Sequence, residues 1–162
     1  NEALGYSTHV WFPAQLASVV GDTVNGNLYK LTDELGQDAG NPIRRERVSQ
    51  HIHGGLVSER TRRVRVFHKA FELDASVATD PLGTSPDAVA EVGLSWSDDD
   101  GKTYTDPIYK PLGQVGDDLA KPRTLKWNLL GSSYDRVYKV LSTSNVNLKL
   151  SDAQILVNIG KH

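Results

Sequence analysis

Residues 94–109 read LSWSDDDGKTYTDPIY, two short extended runs folded over one tight turn. Val92, Leu94 and Trp96 recur at every second position, the period of a strand with one buried face. The Ser97–Gly101 run interrupts that alternation, and Thr103 and Thr105 take it up again. Asp100-Gly101 is a strong hairpin dipeptide, because Gly tolerates positive φ without steric cost and Asp can visit it. A strand is therefore expected through Val92–Trp96, with a return strand starting at Thr103.

The flanking sequence repeats this theme. Extended runs are expected at Tyr6–Phe12, Leu16–Val20 and Leu28–Leu31, with Asn25-Gly26 turning between the last two. Ile43–Ile52 and residues 60–74 (RTRRVRVFHKAFELD) read as longer strands. In the second, Val64 and Val66 oppose Arg63 and Arg65, and the phase slips at Phe67-His68, which predicts a β-bulge there. Strands are also expected at Arg123–Leu130, Arg136–Leu141, Val146–Leu150 and Ala153–Ile159. Pro86–Val92 offers at most one helical turn. Short strands at roughly ten-residue spacing predict an all-β fold of antiparallel hairpins, built as propeller blades or a sandwich. Pro81, Gly83 and Pro86 mark the best internal boundary, dividing an N-terminal β portion (1–76) from a C-terminal one (77–162), the alternative being one continuous domain.

Composition narrows the function classes. Hydrophobic content of 38% with 23% charged residues suits a globular protein. No apolar run approaches the roughly 18 residues a spanning helix needs. The absence of cysteine excludes a disulfide framework and any thiolate metal site. With Asn1 first, no Met anywhere and an opening that starts mid-pattern, the chain reads as the back portion of a longer polypeptide. Net charge is −2, but unevenly spread. Residues 43–72 carry eight Arg or Lys against three Glu, whereas residues 73–118 carry ten acids against two Lys. Such asymmetry suits complementarity between subunits at least as well as contact with nucleic acid.

Within the turn, Ser97, Asp99, Gly101, Thr103 and Tyr104 have the spacing S-x-D-x-G-x-T-Tyr. This resembles the Asp-box, a hairpin decoration of sialidase-like propellers that also occurs in many non-enzymatic proteins. The Asp carboxylate would accept turn N–H groups and the aromatic would plug the space beneath, so the box is a folding device. The Asp98–Asp100 run lacks the downstream bidentate Glu of a calcium loop, and turn stabilisation is the better reading. His51-x-His53 would place two rings on one strand face, as zinc or copper ligation needs, but no third ligand follows from spacing; no metal or other cofactor is expected. Arg44, Arg45, Arg47, Arg62, Arg63 and Arg65 are the candidate contacts to DNA phosphates or to a neighbouring subunit. No nucleophile elbow, Walker loop or H-E-x-x-H occurs, and an enzyme is not expected.

Taken in order, GDTVNGNLYKL, DAGNPIRRERVSQHI, RRVRVFHKAFELD, LSWSDDDGKTYTDPIYKPLGQVGDD and WNLLGSSYDRVYKVLSTSNVNLKLSDAQI resemble the packaged-DNA stabilisation proteins of short-tailed phages. These are also described as tail hub or nozzle components. The resemblance runs from about Gly21 to Ala153. It implies a non-enzymatic virion protein of the tail, made in the bacterial host cytoplasm. Such a protein would form a ring of about six copies below the portal and adaptor, retain packaged double-stranded DNA, let it exit on infection and help attach fibres or spikes. The family fold is largely a β-propeller with added β domains, and this chain would be its C-terminal part. The competing class is a carbohydrate-binding or sialidase-like Asp-box module, with Trp11, Trp96 and Trp127 as sugar platforms.

Overall fold

A computed structural model describes residues 6–12, 17–22, 26–31, 37–38, 40–57, 64–77, 90–113, 123–144 and 148–160. In chain order these form β1 (Tyr6–Phe12), β2 (Ala17–Asp22), β3 (Leu28–Leu31), β4 (Gln37–Asp38), β5 (Asn41–Pro42), β6 (Arg45–Val48) and β7 (Ile52–His53). One helical turn, α1 (Gly54–Val57), precedes β8 (Val66–Val77), β9 (Ala90–Ser97), β10 (Ile108–Gly113) and β11 (Arg123–Asn128). The remaining strands are β12 (Ser132–Ser133), β13 (Asp135–Ser142) and β14 (Leu148–Ile159). The fold is all-β, and the described strand pairs are antiparallel.

β1, β2 and β3 form a small meander. Its second turn uses Gly26 at φ 71°, and the Asp22 N–H donates to the Asn27 carbonyl at 2.9 Å, which gives the expected strand–turn–strand unit. β4 and β5 pair as a separate short ribbon. The two larger sheets hold the core. One runs β10-β9-β13-β6, with β7 pairing the start of β13. The other is centred on β8, which pairs with β14 and, at different points along its length, with β11 and β12.

Their inner faces share one apolar cluster. Val92 and Leu94 of β9, Leu112 of β10 and Tyr138 of β13 meet Phe71 and Leu73 of β8 and Leu125 and Trp127 of β11. The Phe71 ring lies 5.1 Å from the Tyr138 ring across the two sheets and 6.0 Å from the Trp127 ring. Each such side chain, fully buried, is worth about 1.5–3 kcal/mol. The two sheets thus share one core, an antiparallel all-β arrangement of the class expected.

The division expected at residue 77 does not separate the sheets. β8, from the first portion, pairs with β11, β12 and β14 of the second, and β6 and β7 pair with β13. The phase slip in β8 also lies later than the sequence suggested. Val66, His68 and Ala70 face inward and Phe67 outward; Phe71, Leu73 and Ala75 then take over the inner face. The bulge sits at Lys69, where Leu156 pairs with Ala70 but Val157 pairs with His68.

Other boundaries move for equally local reasons. The return strand of the central hairpin begins at Ile108, not Thr103, since residues 98–103 are taken up by side-chain bonding to the turn. Ala90–Val92 belong to β9 rather than to a helical turn; the rest of that helix candidate lies outside the described residues. The Ile43–Ile52 run is broken into β6 and β7. There the Ser49 hydroxyl accepts from the Tyr138 N–H and the Ser49 N–H donates to the Tyr138 carbonyl. The two terminal strands join as β14, with a bulge between Leu150 and Asp152.

Candidate functional site: the acidic turn and its buried arginine

The turn builds itself from its own side chains. Asp100 and Gly101 both take positive φ, 67° and 78°, as a two-residue hairpin turn of the primed kind requires. Asp99 accepts from the Lys102 N–H at 3.1 Å, the Thr103 N–H at 2.9 Å, the Thr103 hydroxyl at 2.6 Å and the Ser97 hydroxyl at 2.6 Å. The Ser97 oxygen in turn accepts from the Gly101 N–H at 2.9 Å. These bonds, led by the Ser97 and Thr103 hydroxyls, hold the Asp99 carboxyl well below the usual carboxylate range. Ser97, Asp99, Gly101 and Thr103 thus play the roles their spacing assigned. Tyr104 covers the turn from one side: its hydroxyl approaches Gly101 and its ring carries the Lys139 ammonium 3.7 Å from its centroid.

Asp98, the first acid of the run, faces elsewhere. Its carboxylate takes a bidentate pair from Arg136, with Nε at 2.6 Å and Nη2 at 2.7 Å, while Arg136 Nη1 donates to the Leu130 carbonyl. Arg136 is only 3% exposed, and its guanidinium stacks between Trp96, 5.3 Å from the ring centroid, and Tyr138, 5.9 Å. Burial opposes its charge, but the two bonds to Asp98 outweigh that opposition and raise its pKa. Burial also pushes the Tyr138 hydroxyl up to about 12. The joint ties the hairpin turn to the corner between β11 and β12. At that corner Leu129 and Gly131 take positive φ, 57° and 79°, before β13 crosses to the other sheet.

Two histidines sit beside the joint. His51 bridges Asp135, 2.9 Å from Nδ1, and Asp100, 3.3 Å from Nε2, so it latches the turn tip to the start of β13. His68, 2% exposed, contacts the Ser133 hydroxyl through Nε2 at 2.9 Å. Burial, reinforced by nearby Arg136, lowers its pKa to about 4. A serine in contact with a histidine is a nucleophile–base geometry, but this pair is enclosed and its base lies far below the near-neutral pKa that general-base catalysis uses. The arrangement locks strands together; each named acid has a partner within the protein.

The described candidate arginines do not gather on one surface. The β6–β13 register sets Arg45 opposite Ser142 and Arg47 opposite Val140, while Glu46 lies opposite Leu141. Arg45 and Arg47 therefore line the opening between the two sheets, and Arg44 pairs with Glu46. Arg65 lies over the Tyr134 ring, 5.2 Å from its centroid, at the far end of β13 and about 20 Å away by strand rise. Arg62 and Arg63 fall outside the described residues. Among the tryptophans, Trp127 is buried and donates from Nε1 to the Ile108 carbonyl at 2.9 Å, and Trp96 is covered by Arg136. Neither offers the open ring a sugar platform needs; the Trp11 side chain is outside the described residues.

His51 and His53 also part company. His51 is engaged by two carboxylates, and His53 sits half-buried on β7. Among the described residues, no group of three or more His, Asp or Glu side chains is placed to hold a metal ion. Among them, too, no helix is long and apolar enough to cross a membrane. Sequence reading missed Arg136, His68 and Ser133 as members of the joint. His68 and Arg136 lie on strands where a polar residue next to Phe or Val looks solvated, and Ser133 follows Gly131-Ser132, which reads as a turn. The signal that could have found Arg136 is its place in the D-R-V-Y segment. No protein-family model matches the chain, and no curated protein matches it.

Proposed function

We propose that this protein is a structural component of a short-tailed phage tail, a hub or nozzle subunit that helps retain packaged DNA and release it on infection. One observation carries the reading. The segments behind the resemblance, S-D-D-x-G, W-x-x-L-G and D-R-V-Y, are spread over some forty residues of sequence, yet they meet at a single point. Asp98 comes from the first, the Leu130 carbonyl from the second and Arg136 from the third, and Arg136 bonds both others. A pattern whose dispersed parts form one joint is the signature of a shared scaffold, in keeping with a non-enzymatic role.

The charge layout supports assembly. Arg44, Arg45 and Arg47 lie on or beside the short strand β6, which forms one margin of its sheet, and the acidic turn projects from the β9–β10 hairpin. Head-to-tail contact between unlike surfaces closes rings when the rotation permits, and about six copies is the expected number. The ring would sit below the portal and adaptor, hold fibres or spikes and pass double-stranded DNA. Reversing Arg44, Arg45 and Arg47 to Glu in the protein should impair ring assembly or DNA retention in particles. Rings and full DNA retention in that variant would overturn the assignment of these residues. Reversal of Arg62, Arg63 and Arg65 tests the second basic segment in the same way.

A further inference from the structure

The outer face of the five-stranded sheet carries a cleft that the joint at Arg136 does not use. Register sets Ser95 of β9 directly opposite Lys139 of β13, with Gly93 opposite Leu141 and Tyr109 opposite Gly93. Residues 104–107 run across this face, so that Tyr104 and Tyr109 wall a hollow of about 290 Å³. Arg44 and Lys139 also line it.

Charge and hydrogen bonding in the hollow are unbalanced. Arg44 pairs with Glu46, and the Lys139 ammonium, 3.9 Å from the same carboxylate, rests on the Tyr104 ring. Two cations thus share one acid, leaving an excess positive charge among the residues that face the hollow. Ser95, 1% exposed, is among the residues lining the hollow, and its buried hydroxyl has no hydrogen-bond partner in the protein. A buried hydroxyl left without a partner is destabilising. A ligand that accepts from it while answering the spare cation removes both imbalances at once.

We propose that this cleft binds a phosphoryl group. Its three terminal oxygens, set tetrahedrally, can take the Ser95 O–H, the Lys139 N–H and the Arg44 fork from different directions, whereas the two oxygens of a carboxylate lie in one plane. The tyrosine walls leave room for an ester substituent. The phosphoryl group is carried either by a small phosphate ester or by a nucleic-acid backbone. The inference does not depend on ring formation.

Inorganic phosphate, titrated by calorimetry at constant ionic strength against chloride, is the first probe. Saturable binding is expected, lost in Lys139→Gln and weakened roughly five- to tenfold in Ser95→Ala, about one neutral hydrogen bond. Ser95→Ala, which removes an unpartnered buried hydroxyl, should keep or raise the urea midpoint; if Lys139→Gln does not fold, Ser95→Ala carries the test alone. Binding no stronger than that of chloride, or phosphate affinity unchanged in Ser95→Ala, overturns the proposal. A short DNA duplex then assigns the source. Duplex binding that phosphate competes away and Lys139→Gln weakens points to a backbone phosphodiester, and phosphate binding without duplex binding points to a small ester.

Discussion

Removing Asp98 should harm this protein more than removing Arg136, although the two form one ion pair. Asp98→Ala strands a guanidinium that is 3% exposed, whereas Arg136→Met strands a carboxylate that is 45% exposed and open to water. Breaking a fully buried pair from one side costs about 3–5 kcal/mol. Partial hydration on the Asp98 side and the surviving bond to the Leu130 carbonyl bring the Asp98→Ala figure to about 2–3 kcal/mol. Arg136→Met keeps the apolar stem between Trp96 and Tyr138 and chiefly leaves the Leu130 carbonyl without its donor, about 1–2 kcal/mol. In the double variant no charge is stranded inside, so its loss should fall short of the summed single losses by about 1–2 kcal/mol. Urea denaturation of all four proteins, with slopes compared to confirm that the unfolded states match, reads these differences. Equal losses, a larger loss for Arg136→Met, or additivity within about 0.5 kcal/mol would refute the reasoning.

Three further outcomes follow from the same geometry. His68 folds with a pKa of about 4 against an ordinary 6.5, so the unfolded chain binds the proton more readily between those values. Stability should therefore be level above pH 6.5 and fall as pH drops towards 4, by about 2 kcal/mol at pH 5; His68→Gln should flatten that part of a urea-midpoint-versus-pH curve, and an unchanged slope would count against the assignment. Asp99→Ala should speed amide exchange at Lys102 and Thr103, whose N–H groups it accepts, more than at Gly101, whose N–H is held by Ser97; equal acceleration at all three would contradict the bonding pattern. Leu129 is 93% exposed at φ 57°, so Leu129→Asn should raise stability by about 0.5–1 kcal/mol by relieving left-handed strain without losing buried area. Calorimetric melting checks it, and a fall in midpoint would show that the side chain has contacts of its own.

The parts of this molecule that the sequence displayed are those settled within a few residues. Every bond inside the turn spans four positions or fewer, so the identity and spacing of Ser97, Asp99, Gly101 and Thr103 were enough to assign their roles. Strand alternation likewise marked Val64 and Val66, or Leu125 and Trp127, as inward. The Arg136–Asp98 pair spans 38 residues and the His68–Ser133 contact 65, and no local pattern announces either. The β8 bulge was expected at Phe67-His68, just before its place at Lys69, because apolar Phe67 shares the phase of Phe71 and Leu73; the inward place of His68 depends on Ser133 across the sheet. The arginines read as one basic cluster because they are near in sequence, but the break between β6 and β8 carries them to opposite ends of β13.

The assembly itself is the central claim, and solution mass addresses it most directly. Light scattering on the protein, across a salt series, should show a ring of about six subunits that loosens as salt screens the contacts between basic and acidic surfaces. A monomer whose mass is indifferent to salt, at concentrations where the ring is expected, would contradict the account.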